Sequence, residues 1–237
     1  VSARVKDDKS LLGALALLQR AGIDVLFDLG PIQDKKDATQ MIAQIGQGGL
    51  GLPDRDYYVK DDEHSAQLRE AYRAHIEKML ALAGRKPADA KLVAAHTLAI
   101  ETAIAKHQKT RVELRDETGT YNRIDRAGLA RHAPLSWDTY FESLGFPAIS
   151  SINTVSVPYV EAFATLIKSF PAGEWRDYLD AHILDDSAPF LPKRFVDEAV
   201  EMTRQLTGQK EQRPRWKRCI SYTDKSLGEL LAQPYVA

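Results

Sequence analysis

A mainly α-helical, multi-helix domain with one accessory β-hairpin is the fold class that the sequence predicts, and three observations lead there. Apolar residues recur at helical spacing over most of the chain, Gly and Pro punctuate those runs, and only one stretch near the N-terminus reads as paired strands. The 237 residues, 44% apolar and 27% charged, have the composition of an ordinary globular protein long enough to bury a sizeable core.

Residues 9–20 place Leu11, Leu12, Leu15 and Leu18 on one face and run out at Gly22, a residue suited to the left-handed turn that closes a helix. Residues 25–29 then read as a strand. The polar turn Asp34-Lys35-Lys36-Asp37 leads into a second apolar stretch at 41–45, giving a hairpin over about residues 24–46. A glycine-rich segment occupies 47–58, and the remainder, 62–237, is helical in pattern. Between 62 and 83, Leu68, Tyr72, Ile76 and Leu80 recur every four residues on one stripe, and Gly84 supplies the stop.

Pro87 suits the first turn of a helix running to about residue 107, with Leu92, Val93, Ile100 and Ile104 on its buried side. The short Gly84-Arg85-Lys86 connection makes these two helices antiparallel neighbours. Residues 109–122 are polar and lack a period. Short helices are expected at 125–132 and from the capping Ser136 to residue 144, where Gly145 and Pro147 end it. A short strand is expected at 151–157, then helices at 158–170, 173–185, 192–207 and 214 to about 232. No internal repeat or low-complexity linker divides the chain, so residues 1–237 read as one helical region.

Composition narrows the function classes. A net charge of −1 leaves no electrostatic footprint for nucleic acid or an anionic membrane. No apolar run reaches the roughly 20 residues that span a bilayer, and the first ten residues mix charges where a signal peptide would be apolar. Cys219 is the only cysteine, which excludes an internal disulfide or a cysteine-based metal cluster; it is expected as a small buried apolar residue.

The search for chemistry is mostly negative. None of His64, His75, His96, His107, His132 and His182 pairs with another at four-residue spacing or precedes a Glu, so no zinc helix of the His-Glu-x-x-His type is present. His96 and His107 lie nearly in phase on one helix but about three turns apart, too far to share an ion. No Gly-x-Ser-x-Gly elbow occurs, and the glycine-rich segment lacks the endings that cradle nucleotide phosphates. The acidic pairs Asp7/Asp8, Asp61/Asp62 and Asp185/Asp186 read as turns or helix starts. Arg213-Pro214-Arg215-Trp216-Lys217-Arg218 reads as a basic helix start with Trp216 anchored in the core, in preference to an anion patch.

The most informative segment is Gln47-Gly48-Gly49-Leu50-Gly51-Leu52-Pro53-Asp54-Arg55-Asp56-Tyr57-Tyr58. It follows neither helix nor strand period. Its glycines open backbone conformations closed to other residues, and Pro53 fixes φ, so the loop is shaped residue by residue. Arg55, between two aspartates, suits either a clamp on a substrate carboxylate or, preferably, an internal salt bridge that fixes the loop. Tyr57 and Tyr58 are expected as buried rings with bonded hydroxyls.

This segment closely resembles the Gln-x-Gly-Leu-Gly-Leu-Pro-x-Arg-Asp-Tyr-Tyr signature of the neprilysin-like zinc metallopeptidases. Further matches follow in order: Arg115-Asp116 with Tyr121-Asn122, Leu135-Ser136-Trp137 with Tyr140-Phe141, Trp216-Lys217-Arg218-Cys219, and Leu227-Gly228-Glu229 through Tyr235-Val236. The resemblance implies the non-catalytic N-terminal region of a peptidase that hydrolyses short peptides. That region would enclose the substrate chamber and dock on a catalytic C-terminal domain that this sequence lacks. Zinc is expected in that domain and no cofactor in this chain. Gly49, Leu50, Gly51, Leu52, Pro53, Arg55, Asp56, Tyr57, Tyr58, Trp216 and Arg218 carry the signature as structural residues. Having no disulfide, the chain is similar to bacterial members, for which a cell-envelope, periplasmic or secreted location is expected. The alternative is a stand-alone helical protein-binding module without enzymatic activity.

Overall fold

A computed structural model describes residues 1–209 and 211–236. Helix α1 (Asp8–Arg20) opens with a capping box in which the Asp7 carboxylate accepts the Ser10 N–H at 2.8 Å and the Ser10 hydroxyl accepts the Asp7 N–H at 3.0 Å. Gly22, at φ 79°, ends it in the left-handed region.

The hairpin forms from β1 (Leu29–Asp34) and β2 (Asp37–Ile45), paired antiparallel. Its first strand begins where the expected strand ends. Residues 25–27 are buried but make no ladder, and Leu26 holds φ 63°, the only non-glycine at positive φ among the described residues. The reason lies far away in sequence. The Tyr178 hydroxyl accepts the Leu26 N–H at 3.1 Å, and the Tyr159 hydroxyl donates to the Leu26 carbonyl. Side chains thus take the hydrogen bonds that a neighbouring strand would have made.

The hairpin is also only half of the sheet. Strands β3 (Asn122–Asp125) and β4 (Ser151–Thr154) extend it in the order β1-β2-β4-β3, with β4 parallel to β2 and β3 antiparallel to β4. Asn153, fully buried on β4, donates from its amide to Gln44 on β2 (2.7 Å) and to the Thr120 carbonyl (3.1 Å), and accepts the Asn122 N–H (2.7 Å). After β4 the chain turns at once, and Ser156 caps the next helix.

The other helices are the single turn α2 (Asp56–Val59), then α3 (Glu63–Leu82), α4 (Pro87–Ala105), α5 (Arg126–His132), α6 (Trp137–Leu144), α7 (Val157–Ser169), α8 (Ala172–Ser187), α9 (Lys193–Thr207) and α10 (Arg215–Val236). Two local expectations change. Leu92 faces solvent at 55% exposure, because the buried stripe of α4 runs through Ala90, Val93, Ala94, Thr97, Ile100, Glu101 and Ile104. Ser136 stands at the N-cap of α6 without a side-chain cap bond.

One core gathers α1, α6, α7 and α8 around Phe27, whose ring lies 4.9 Å from Phe163, 5.4 Å from Tyr140 and 6.0 Å from Trp137. A second core joins Leu52 and Tyr58 to Tyr72, Ile76 and Leu80 of α3 and Val93 of α4. The glycine-rich loop passes from the first core to the second.

Candidate functional site

Side-chain hydrogen bonds hold the loop on several sides. Gln47 pairs with the backbone of Lys109 as a strand would: its amide donates to the carbonyl at 3.1 Å and its oxygen accepts the N–H at 2.5 Å. Gln108 donates to the Gly48 carbonyl (2.8 Å), and the Tyr178 hydroxyl donates to the Gly49 carbonyl (3.0 Å). Gly49 sits at φ 78° with its α-carbon face against the Leu26 backbone, where any Cβ would collide. Tyr178 therefore bridges two left-handed residues, Leu26 and Gly49, where the two segments cross.

Below Gly51 lies a feature that sequence inspection missed. Glu101 on α4 is fully buried and accepts four hydrogen bonds. They come from the Gly51 N–H (3.2 Å), the Tyr72 hydroxyl (2.9 Å), the Tyr58 hydroxyl (2.7 Å) and His182 Nε2 of α8 (2.8 Å). Tyr58 in turn accepts the Leu52 N–H at 2.8 Å. A buried carboxylate survives desolvation when every lone pair is occupied and a cation stands beside it. Burial disfavours the His182 imidazolium, but the bond to Glu101 and its charge outweigh that, so its pKa rises above the usual histidine value. Burial and the Glu101 charge push both tyrosine hydroxyls far above the ordinary range, so they remain donors. The signal was in the sequence: Glu101 falls on the buried stripe of α4, where an unpaired acid has no place.

The expected loop residues behave as follows. Arg55 donates to the Ala105 carbonyl at 3.0 Å and pairs with Asp56 at 3.2 Å, an internal ion pair. Asp54 accepts the Asp56 N–H at 2.9 Å and pairs with Arg111 at 2.6 Å, while Arg111 also reaches the Pro53 carbonyl at 3.1 Å. Leu52 and Tyr58 are buried, whereas Tyr57 is half-exposed with its ring edge-on to His64 at 6.3 Å. Leu50 packs against both cores from a half-buried position.

The C-terminal signature residues do not join them. Trp216 is 60% exposed, overturning its expected place in the core, because no part of the described chain packs over it. Lys217 lies over its ring at 5.3 Å. Cys219 is exposed too, contrary to expectation. Arg218 lines a groove of about 820 Å³ between α10 and α9, well apart from the loop. The matched stretch 227–236 forms the end of α10 in backbone; the side chains of Glu229, Tyr235 and Val236 lie outside the described residues.

A cavity of about 470 Å³ opens over the loop. Asp24, Asp185, Asp186 and His182 line it together with Lys109, Arg111 and Lys225 of α10. Burial raises the carboxyl pKa of Asp24 and Asp186. Arg111 is already committed to Asp54 and the Pro53 carbonyl, and Lys109 to the Gly119 carbonyl at 2.7 Å. Such a cleft offers shape and polarity.

The histidines do not fit a zinc site. His75 spans Asp185 (3.0 Å) and Glu198 (3.1 Å), His96 meets Asp177 (2.7 Å) and His132 meets Glu161 (2.9 Å). With His182 on Glu101, four of the rings face carboxylates, each in its own pairing. Among the described residues no three His, Cys, Asp or Glu side chains converge as a metal would require.

Comparison with known proteins places this geometry. Residues 2–237 match the model of the N-terminal part of peptidase family M13. Human endothelin-converting enzyme 1 is 28% identical over 209 residues, covering 86% of this chain and 27% of its own length. The zinc metalloprotease Zmp1 of Mycobacterium tuberculosis, in its open state, superposes with a TM-score of 0.91 at 31% identity, over 99% of this chain and 37% of that one. PepO from Lactobacillus rhamnosis shares the fold, with a TM-score of 0.78 at 19% identity over 100% of this chain and 38% of its own. The chain thus spans about a quarter to two-fifths of the relatives it matches.

Proposed function

This chain belongs to peptidase family M13, and from that membership we propose that it is the non-catalytic N-terminal region of a zinc metalloendopeptidase acting on short peptides. Its work is to wall the substrate chamber and to dock on a catalytic domain that carries the zinc. The observation that carries the reading is the Zmp1 match: nearly all of this chain superposes on little more than a third of a zinc metalloprotease. The cleft over the glycine-rich loop supports it, since a wall needs a fixed shape and the loop's backbone is held by side-chain hydrogen bonds. Peptides reach this chain only as substrates of the complete enzyme, which we place at the cell envelope or outside the cell. No helix among the described residues is long and apolar enough to cross a membrane.

Reading the gene beyond the codon for Ala237 tests the proposal. An in-frame His-Glu-x-x-His, with a later Glu-x-x-x-Asp, is the expected result. A stop codon there would replace the proposal with a stand-alone binding module, whose ligand would then be the question.

A further inference from the structure

Three residues of α9 are buried, Phe195, Glu198 and Met202, and their spacing puts them on one stripe. Phe195 packs with Met79 of α3 and Ala188, and Met202 joins the second core. An acid therefore sits in the middle of the narrow apolar stripe that docks α9. Its partner is His75 on α3, itself buried. Nδ1 of the ring meets Glu198 at 3.1 Å, and Nε2 meets Asp185 on α8 at 3.0 Å. Ionised carboxylates only accept hydrogen bonds, so both ring nitrogens must donate, and only the imidazolium can do so. Two further groups of α3 stand beside this pairing: Lys78, which pairs with the same Glu198, and Tyr72, whose ring stacks on His75 at 6.5 Å and whose hydroxyl goes to Glu101 of α4. His182, the other buried histidine of the region, is engaged by Glu101.

We propose that His75 is a proton-operated clamp: its imidazolium pins α9 to α3 and α8, and loss of one proton releases α9. The neutral ring has a single N–H and turns a lone pair toward the other carboxylate, so one of the two bonds becomes a repulsion. Burial disfavours the imidazolium, but the bonds to Asp185 and Glu198 and their charges outweigh it, so the His75 pKa rises above the usual histidine value. The contribution is complete below the unfolded value of about 6.5 and is lost as pH rises through the higher folded value. The effect reaches the cleft over the glycine-rich loop by two routes. Asp185 lines that cleft, so the same proton decides whether its carboxylate is neutralised from behind. Lys225 lines it too, on the helix into which α9 leads.

Hydrogen exchange of the full-length gene product, read by mass spectrometry on peptides from residues 193–207, tests the clamp at pH 6 and pH 9 after correction for intrinsic exchange. Peptides from α1, which carries no histidine, are the reference. Protection of α9 relative to α1 is expected to fall at least about tenfold from the lower pH to the higher. An unchanged ratio in the unaltered protein overturns the proposal. Glu198→Gln supplies the second arm. Its amide can donate to Nδ1 of the neutral ring while Nε2–H still serves Asp185, so the ratio is expected to stay constant between the two pH values. Asp185→Asn is expected to behave likewise, with the roles of the two nitrogens exchanged. A tenfold fall in either variant overturns the clamp and assigns the pH effect to another group, such as His182.

Discussion

Around the glycine-rich loop, backbone groups of Gly48, Gly49, Gly51, Leu52 and Pro53 are met by the side chains of Gln108, Tyr178, Glu101, Tyr58 and Arg111, and the buried acid beneath them has four donors. Along α10 the balance reverses, with Trp216 and Ile220 each 60% exposed and the Arg218 Nε buried without a partner. Both regions carry family signature residues. In the first the partners lie within the chain; for Trp216 and Ile220 none lies among the described residues. The difference separates a loop whose polar groups are satisfied from a helix whose large apolar side chains face solvent.

Substitutions sharpen that contrast. Glu101→Ala is expected to have the largest effect, about 3–5 kcal/mol of unfolding free energy, because it strands His182 and two tyrosine hydroxyls in the interior. Urea denaturation measures it, and a loss below about 1 kcal/mol would show that the loop does not depend on the carboxylate. Gly49→Ala comes next, at about 1–3 kcal/mol or more, since the left-handed backbone is strained for alanine and its Cβ meets the Leu26 backbone. An unchanged midpoint would deny the crossing its tightness.

Asp28 tests the edge of the ordered region. Its Oδ1 is buried without a partner, and burial, aided by the nearby Asp24 charge, raises its pKa from 3.8 to about 6. An acid raised in the folded state holds its proton more tightly there, so the folded protein loses stability as pH rises from about 4 to 6. Asp28→Asn should therefore stabilise by about 1–2 kcal/mol at pH 7.5, allowing for solvent screening, and by nothing at pH 3.5. A gain independent of pH would assign the effect to packing. Smallest of all, Trp216→Ala in the 237-residue chain should change stability by less than about 0.5 kcal/mol, as exposed sites do. A large loss would place Trp216 in a core after all.

Much of the helical frame was legible because each helix buries its own periodic stripe, as α3 does through Leu68, Tyr72, Ile76 and Leu80. The strands were harder. The sequence of β3, Asn-Arg-Ile-Asp, has no strand period, and it is a strand because β4 pairs with it. Residues 25–27 have strand composition, yet tyrosine hydroxyls more than 130 positions away hold their backbone. At the site, the glycines and Arg55 announced a shaped loop, but Glu101 and His182 stayed hidden because their partners converge only in space. Trp216 was misplaced for the opposite reason: burial was expected, and none of the described residues provides it.

The most direct measurement sets the purified 237-residue chain beside the full-length gene product, and determines bound zinc and cleavage of a short peptide with and without chelator. The account predicts no stoichiometric zinc and no cleavage for the chain, with one zinc and chelator-sensitive cleavage for the full-length protein. Robust, chelator-sensitive cleavage by the chain alone would contradict it.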